Sequence, residues 1–340
     1  MADGSDSSDN GPIHHPSLYF PDGDIIFSVL NEGRPTLLRV HRLVLAHFSL
    51  SFRDILSIPS HSEANEMKEG VPVVSMLDPY IDFVGLINAL YSPETLPLRD
   101  LERRPNRGPV TIRGICALAK KYQVDSVLKR IAGRLEAIWP ATLRQYVAAR
   151  GTFTSDVGYV VSHLMWARVE HAHPEPALAI RLAMEVGARS VLSAAFYRLA
   201  ISDPSVDWDD SEPEEMDTLS ARWGILDQTD WTRYNYGKDD LAIRFQELPL
   251  DTYEQEVPSG RCGDEDGCFS AIKKLRAFHR GQLNIGFARQ PDIIGRTLTL
   301  HEEIDKGGFC FYCKPTLQVI VSSFLKDVWD DLSEIFGLTE

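Results

Sequence analysis

LYFPDGDIIFSVLNEGRPTLLRVHRLVLAHFSLSFRDIL, residues 18–56, decides how the chain begins to fold. Ile25–Leu30 and Thr36–Val40 are apolar-rich and read as strands. The Gly- and Pro-containing stretch 31–35 between them reads as a hairpin connection. A helical stretch carrying Leu43, Val44, Ala46 and Phe48 comes next. Ser49 is then placed to cap a second helix bearing Leu50, Phe52, Ile55 and Leu56.

Downstream, 57–70 is polar and turn-rich, and Val71–Met76 suits a strand whose Pro72 favours an edge or a strand start. Asp78-Pro79 pairs an N-cap residue with a first-turn proline ahead of a helix carrying Ile81, Phe83, Val84, Ile87, Leu90 and Tyr91. After a Pro- and Arg-rich insertion at 92–110, Ile112, Ile115, Leu118 and Ala119 line one helix. Val127, Leu128, Ile131 and Leu135 line another, with Lys120-Lys121-Tyr122-Gln123-Val124 between them.

Several of these steps resemble the BTB/POZ domain. They are the Asp22-Gly23-Asp24-Ile25 entry, the Val40-His41-Arg42 joint, the Leu45-Ala46 step and the turn at Ser49 and Phe52-Arg53-Asp54. The segment 69–74, the Asp78-Pro79 entry, the Leu90-Tyr91 ending and the Lys-Tyr-x-Val step are similar to the BTB proteins of mushroom-forming fungi. The resemblance covers about 18–139. It implies an α+β fold, with an N-terminal BTB/POZ domain (a short mixed sheet with helices) followed by a mostly helical C-terminal region. His41 and Tyr122 are then structural residues.

Residues 1–17 read as a disordered tail, because they are polar and offer little to bury. From 140 to 201 the pattern is helical, with candidate helices from Pro140, over 157–169, over 176–186 and over 190–201. Residues 202–217, SDPSVDWDDSEPEEMD, hold eight acids and no base and read as an acidic linker. Beyond it, Ala221-Arg222-Trp223, Asp230-Trp231-x-Arg233 and Gly237 resemble the second half of the same fungal proteins, where packing is the natural role of the tryptophans. Leu317 to Phe336 form a last amphipathic helix that Gly337 ends.

The net charge of −14 opposes binding to a phosphate backbone, so no nucleic-acid partner is expected. The Arg99, Arg103, Arg104 and Arg107 cluster reads as a solvated loop. No apolar run approaches the ~20 residues of a membrane span, and the N-terminus has no secretory pattern, so an intracellular chain with reduced thiols is expected.

Cys310-Phe311-Tyr312-Cys313 is a C-x2-C knuckle, and Cys262 and Cys268 form a looser pair upstream. Together they match a four-cysteine structural zinc site in a C-terminal module at 218–340. The alternative is four ordinary thiols. Cys116 reads as core, and His279 and His301 as spare ligands. His171-Ala-His173 reads as a helix end. No P-loop, G-x-S-x-G, G-x-G-x-x-G or H-E-x-x-H motif occurs, and no enzymatic constellation stands out.

The expected function is therefore a non-enzymatic protein-interaction module that captures protein partners, itself included. The resemblance implies a dimer interface near Asp24. It also implies a cullin-facing surface in which Met67-Lys68-Glu69 supplies an apolar-x-Glu element beside Phe52, Ile55 and Leu56. A substrate adaptor of a cullin-class ubiquitin ligase is the first alternative, and a transcription-linked zinc protein the second.

Overall fold

The computed structural model describes residues 11–57, 66–101, 111–148, 175–209, 219–251, 253, 261–283 and 289–339. Five strands form the N-terminal sheet: β1 (Ile13–Tyr19), β2 (Ile25–Asn31), β3 (Arg34–Val40), β4 (Met67–Lys68) and β5 (Val71–Met76), in the order β1-β3-β2-β5-β4. Glu32 and Gly33, with φ of 49° and 84°, turn β2 into β3, and Glu69 and Gly70, at 54° and 75°, turn β4 into β5. Successive positive φ values match the right-handed twist of paired strands, which is why both hairpins close so tightly. The first hairpin is accordingly longer than its apolar residues suggest. Asn31 pairs with Arg34, and Pro35 with Leu30.

Antiparallel register puts Phe27 opposite Leu38 and Ile25 opposite Val40, so alternate residues face opposite sides. Ile26, Leu37, Val71 and Val73 form one apolar face, with Tyr19 against it. On the other face Phe27 meets Phe52 and Phe83, edge-on to the latter. Among the described residues the α-helices that follow the hairpin are α1 (Arg42–Phe48), α2 (Leu50–Ser57), α3 (Tyr80–Tyr91), α4 (Thr111–Lys121) and α5 (Asp125–Ile138). Ser49 caps α2 as expected, its Oγ accepting the Phe52 N–H at 2.9 Å and donating to the Tyr122 carbonyl. The His41 N–H donates to the Tyr91 hydroxyl at 2.9 Å, which joins the end of β3 to the end of α3. The chain divides into two compact units, the first reaching Arg134 and the second starting at Leu135, with Leu101 also in the second.

Several expectations change. Residues 13–17 belong to β1 and not to a tail, because β1 pairs in parallel with β3 and the His15 Nδ1 accepts the Leu18 N–H at 3.1 Å. Asp78 does not cap α3. Its carboxylate takes the Tyr122 hydroxyl and the Lys121 ammonium, stronger donors than a neutral backbone amide. Pro72, by contrast, sits at a strand start as expected, the second residue of β5, where β4 alone pairs with it and β2 joins only from Val73. The acidic stretch is ordered over 203–209: Asp207 bridges to Ala221, and Trp208 is buried. Residues 210–217 of the linker, the helix expected over 157–169, His171, His173, Arg103, Arg104 and Arg107 lie outside the described residues.

The second unit is helical: α6 (Pro176–Val186), α7 (Leu192–Ala200), α8 (Gln228–Gln246), α9 (Glu265–Gln282), α10 (Ile293–Lys306), α11 (Cys313–Asp330) and α12 (Leu332–Ile335). Helix α7 is buried almost all round, so it runs through the core. The Glu175 carboxylate caps α6 through the Ala177 and Leu178 N–H groups and also accepts the Arg222 N–H. Asp227 and Asp230 form the capping box of α8, and Arg181 pairs with both. Trp223 stacks on Trp231 at 5.4 Å, with Tyr234 edge-on to each. The last helix is two helices, broken at Asp331, whose carboxylate takes Arg244 from α8 at 2.6 Å.

Gly237 is fixed by a close approach. A Cβ there would stand 2.1 Å from the Phe336 ring, which itself stacks on Phe196. Gly→Ala inside a helix ordinarily stabilises by about 1 kcal/mol. Gly237→Ala is expected instead to destabilise by about 1–3 kcal/mol. Adding Phe336→Leu should return part of that loss in a denaturant double-mutant cycle. A stabilising Gly237→Ala would refute the contact.

His15 yields a pH prediction. Burial lowers its pKa from 6.5, and its Nδ1 must stay unprotonated to accept the Ser17 and Leu18 N–H groups. Between the folded pKa and 6.5 the unfolded chain binds more protons, so stability rises with pH there. The contribution is complete above 6.5 and lost as pH falls through the folded value. An NMR titration of the His15 ring should give a midpoint below 6.5, and His15→Asn should flatten the acid-side slope of the denaturation midpoint.

Candidate metal centre

Two helix starts bring the four C-terminal cysteines together. Asp264 caps α9 by accepting the Gly267 N–H at 2.9 Å, which leaves Cys262 in the preceding loop and sets Cys268 in the first turn. The Asp264 carboxylate lies only 2.0 Å from where a Cβ on residue 267 would be, so this cap requires glycine. Helix α10 ends at Gly307, Gly308 turns with φ of 72°, and Cys310 to Cys313 form a tight knuckle closed by the Lys314 N–H on the Cys310 carbonyl at 3.1 Å. Cys313 opens α11 on the same buried stripe as Leu317 and Val321.

The four sulfurs lie within 4.8 Å of one another. Cys262 Sγ is 3.5 Å from Cys313 Sγ and 3.9 Å from Cys310 Sγ. Sulfurs placed tetrahedrally about 2.3 Å from a zinc-sized ion would be about 3.8 Å apart, so the donor set fits such an ion. All five cysteines of the chain are free thiols. The set is two-sided: Cys268 and Cys313 are buried, whereas Cys262 and Cys310 are partly exposed.

The electrostatics differ across the set. The backbone N–H of Cys313, with those of Gly263 and Tyr312, points at the Cys310 sulfur and lowers its pKa to about 6. Burial pushes the Cys268 and Cys313 thiols up. Two buried thiols that resist ionisation become stable thiolates where a cation compensates their charge. The starts of α9 and α11 add positive dipole ends beside them.

The spare ligands are spent elsewhere. His279 Nε2 is 2.8 Å from the Phe245 carbonyl, and His301 Nε2 is 3.1 Å from Ser322 Oγ. Cys116 is buried, as expected. Tyr253 was not singled out by sequence reasoning, yet it is buried, and its burial, with the Cys313 side chain adding to it, raises the pKa of its hydroxyl. Nothing in its spacing from the cysteines marks it.

The interface residues named from sequence separate. Phe52 is buried in the first unit, stacked on Tyr122 at 4.5 Å, so it is core and not surface. Leu56 is half-buried, while Ile55 and Met67 are exposed. Glu69 is a turn residue held by Arg39 at 2.9 Å, and Asp24 accepts the first N–H of α1, from Arg42, at 2.7 Å. Among the described residues no helix is long and apolar enough to cross a membrane. No family model matches the chain, and neither a curated protein nor a solved structure does.

The asymmetry of the sulfurs is measurable. In chelator-treated protein, iodoacetamide should modify Cys310 ahead of Cys268 and Cys313, at a rate that climbs through pH about 6. Peptide mapping that finds Cys313 modified first would contradict the arrangement.

Proposed function

We propose that this chain is a non-enzymatic protein-interaction scaffold, its first unit a BTB/POZ domain and its second unit stapled by zinc. The observation that carries the reading is that the residues bearing the family resemblance do linked structural work. His41 bonds Tyr91, Ser49 bonds Tyr122, and Tyr122 bonds Asp78 and stacks on Phe52. The order of hairpin, α1 and α2, β5, α3, then α4 and α5 is the one that the resemblance implies.

With those residues committed to the interior, the outside of the same helices still carries exposed apolar residues beside His47, Arg53 and Asp54. Leu43 on α1, Leu50 and Ile55 on α2, and Ile81 on α3 are all more than half exposed. Exposed apolar side chains in number favour a protein partner, here a second copy of the chain. Zinc is the favoured ion because four thiolates in a tetrahedral set suit its closed d shell, and a site with four protein ligands is structural. The cullin-adaptor reading retains Ile55 and Met67 as contact residues, since both are exposed.

Native mass spectrometry of the full chain, with and without the N-terminal fragment of a cullin, tests these readings together. The expected species is a dimer with one zinc per protomer, and Leu43→Asp should give a zinc-loaded monomer. A cullin adduct lost on Ile55→Ala with Met67→Ala would move the reading to an adaptor. A wild-type monomer that ignores the cullin would overturn the scaffold reading, and a metal-free chain would overturn the zinc.

A further inference from the structure

We propose that Cys262 and Cys310 form a hydroperoxide-sensitive modification site, in which oxidation joins the two sulfurs as a disulfide and releases the metal ion. The release rests on the metal reading above, whereas the disulfide rests on the cysteine cluster alone.

The four sulfurs divide by access and by backbone. Cys262 and Cys310 are partly exposed, whereas Cys268 and Cys313 are 2% and 0% exposed. The exposed pair also lies off the helices. Cys262 precedes the Asp264 cap beside Gly263, where a Cβ would meet nothing within 4 Å, and Cys310 follows the Gly308 turn. Cys268 and Cys313 are instead residues of α9 and α11. Cys262 Sγ and Cys310 Sγ stand 3.9 Å apart, and a disulfide measures about 2.05 Å, so the two must close by about 2 Å. Loop segments supply that movement, whereas a residue held in a helix carries its helix with it. Cys313 Sγ starts nearer to Cys262, at 3.5 Å, but it is shielded from solvent and opens α11. A Cys310–Cys313 bond would span one knuckle only. The Cys262–Cys310 bond ties together the same two segments that the ion would hold.

A hydroperoxide supplies the two-electron oxidation. The thiolate of either exposed cysteine attacks one oxygen of hydrogen peroxide, the O–O bond breaks, and hydroxide leaves a sulfenic acid behind. The other exposed thiolate then attacks that sulfur, forming the S–S bond and expelling a second hydroxide. Four protons complete the balance: two convert the hydroxides to water, and two protonate the thiolates of Cys268 and Cys313. One peroxide, one four-thiolate zinc centre and four protons therefore give one disulfide, two thiols, two waters and free zinc. Disulfide sulfurs carry no charge to set against a dication, so the site loses half its ligands in one step.

The test uses the full chain, loaded with zinc and treated with hydrogen peroxide in steps. A chromogenic chelator counts the zinc released, and differential alkylation with peptide mapping assigns the bonds. The expected result is a Cys262–Cys310 disulfide, with one zinc released for each disulfide formed. Cys268 and Cys313 should then be alkylated only after unfolding. A dithiol reductant with added zinc should restore the four thiols and the zinc content. Cys116, buried in the first unit, is the internal control and should stay reduced. A bond from Cys313 to Cys262 or Cys310, sulfinic acid at separate cysteines, or zinc retained after the Cys262–Cys310 bond has formed would overturn the proposal and leave the metal reading standing. A chain that takes up no zinc yet forms the Cys262–Cys310 bond would overturn the metal reading, and the release with it, while supporting the modification site. A chain that does neither would overturn both.

Discussion

The first unit depends on one buried side chain, Tyr122, and on the polar groups that satisfy it. Its ring stacks on Phe52 and stands edge-on to Phe83, its hydroxyl reaches Asp78, and its carbonyl takes the Ser49 hydroxyl. A polar atom left unsatisfied in that position would cost about 1–3 kcal/mol, so the ring and its bonds are acceptable only together. The consequence is geometric. The start of α2, the residue ahead of α3 and the end of α4 are drawn to one point. Gln123 takes φ of 53° so that the chain can leave α4 and begin α5 immediately, with the Val124 N–H returning to the Ala119 carbonyl at 2.7 Å.

The second unit uses a buried carboxylate to the same end. Burial raises the pKa of Glu175, while the N–H groups of Arg222, Leu178 and Ala177 act against that. Two of those donors are the free amides at the start of α6, and the third lies on the far side of the acidic stretch. This bond, with Arg222 on Asp209 and the Trp223 indole on the Val206 carbonyl, is what orders residues 203–209. Like charges do repel along that stretch. Burial of Trp208 and Trp223 wins locally because the acids there have their own donors, Asp203 on Ser205 and Asp209 on Arg222.

What was legible in the sequence was local. The Ile25–Val40 hairpin, the Ser49 cap, the buried stripes of α4 and α5 and the packing tryptophans each follow from neighbours a few residues apart. What was not legible depends on a distant partner. Ile13–Tyr19 looks polar because only His15 and Leu18 point inward, and its strand exists through β3. Asp78 before Pro79 is a sound cap by local rules, yet its carboxylate finds stronger donors more than forty residues away. Asp331 interrupts an unbroken apolar period because Arg244 waits beside it. In each case the local rule holds, and a longer-range charge or hydrogen bond outweighs it.

The candidate centre shows the same division inside one site. The C-x2-C knuckle is readable because its turn is self-contained. The pair at 262 and 268 looked irregular because a helix begins inside it: Asp264 must cap α9 and Gly267 must leave room for that cap before Cys268 can turn inward. Five intervening residues are the length of a helix start, not a loosened knuckle. Both pairs therefore present their sulfurs where helix amides are still free, and this lowers the cost of gathering negative charge in a buried place. The four-cysteine cluster is on this account a joint between the starts of α9 and α11, and its stability and theirs are one quantity.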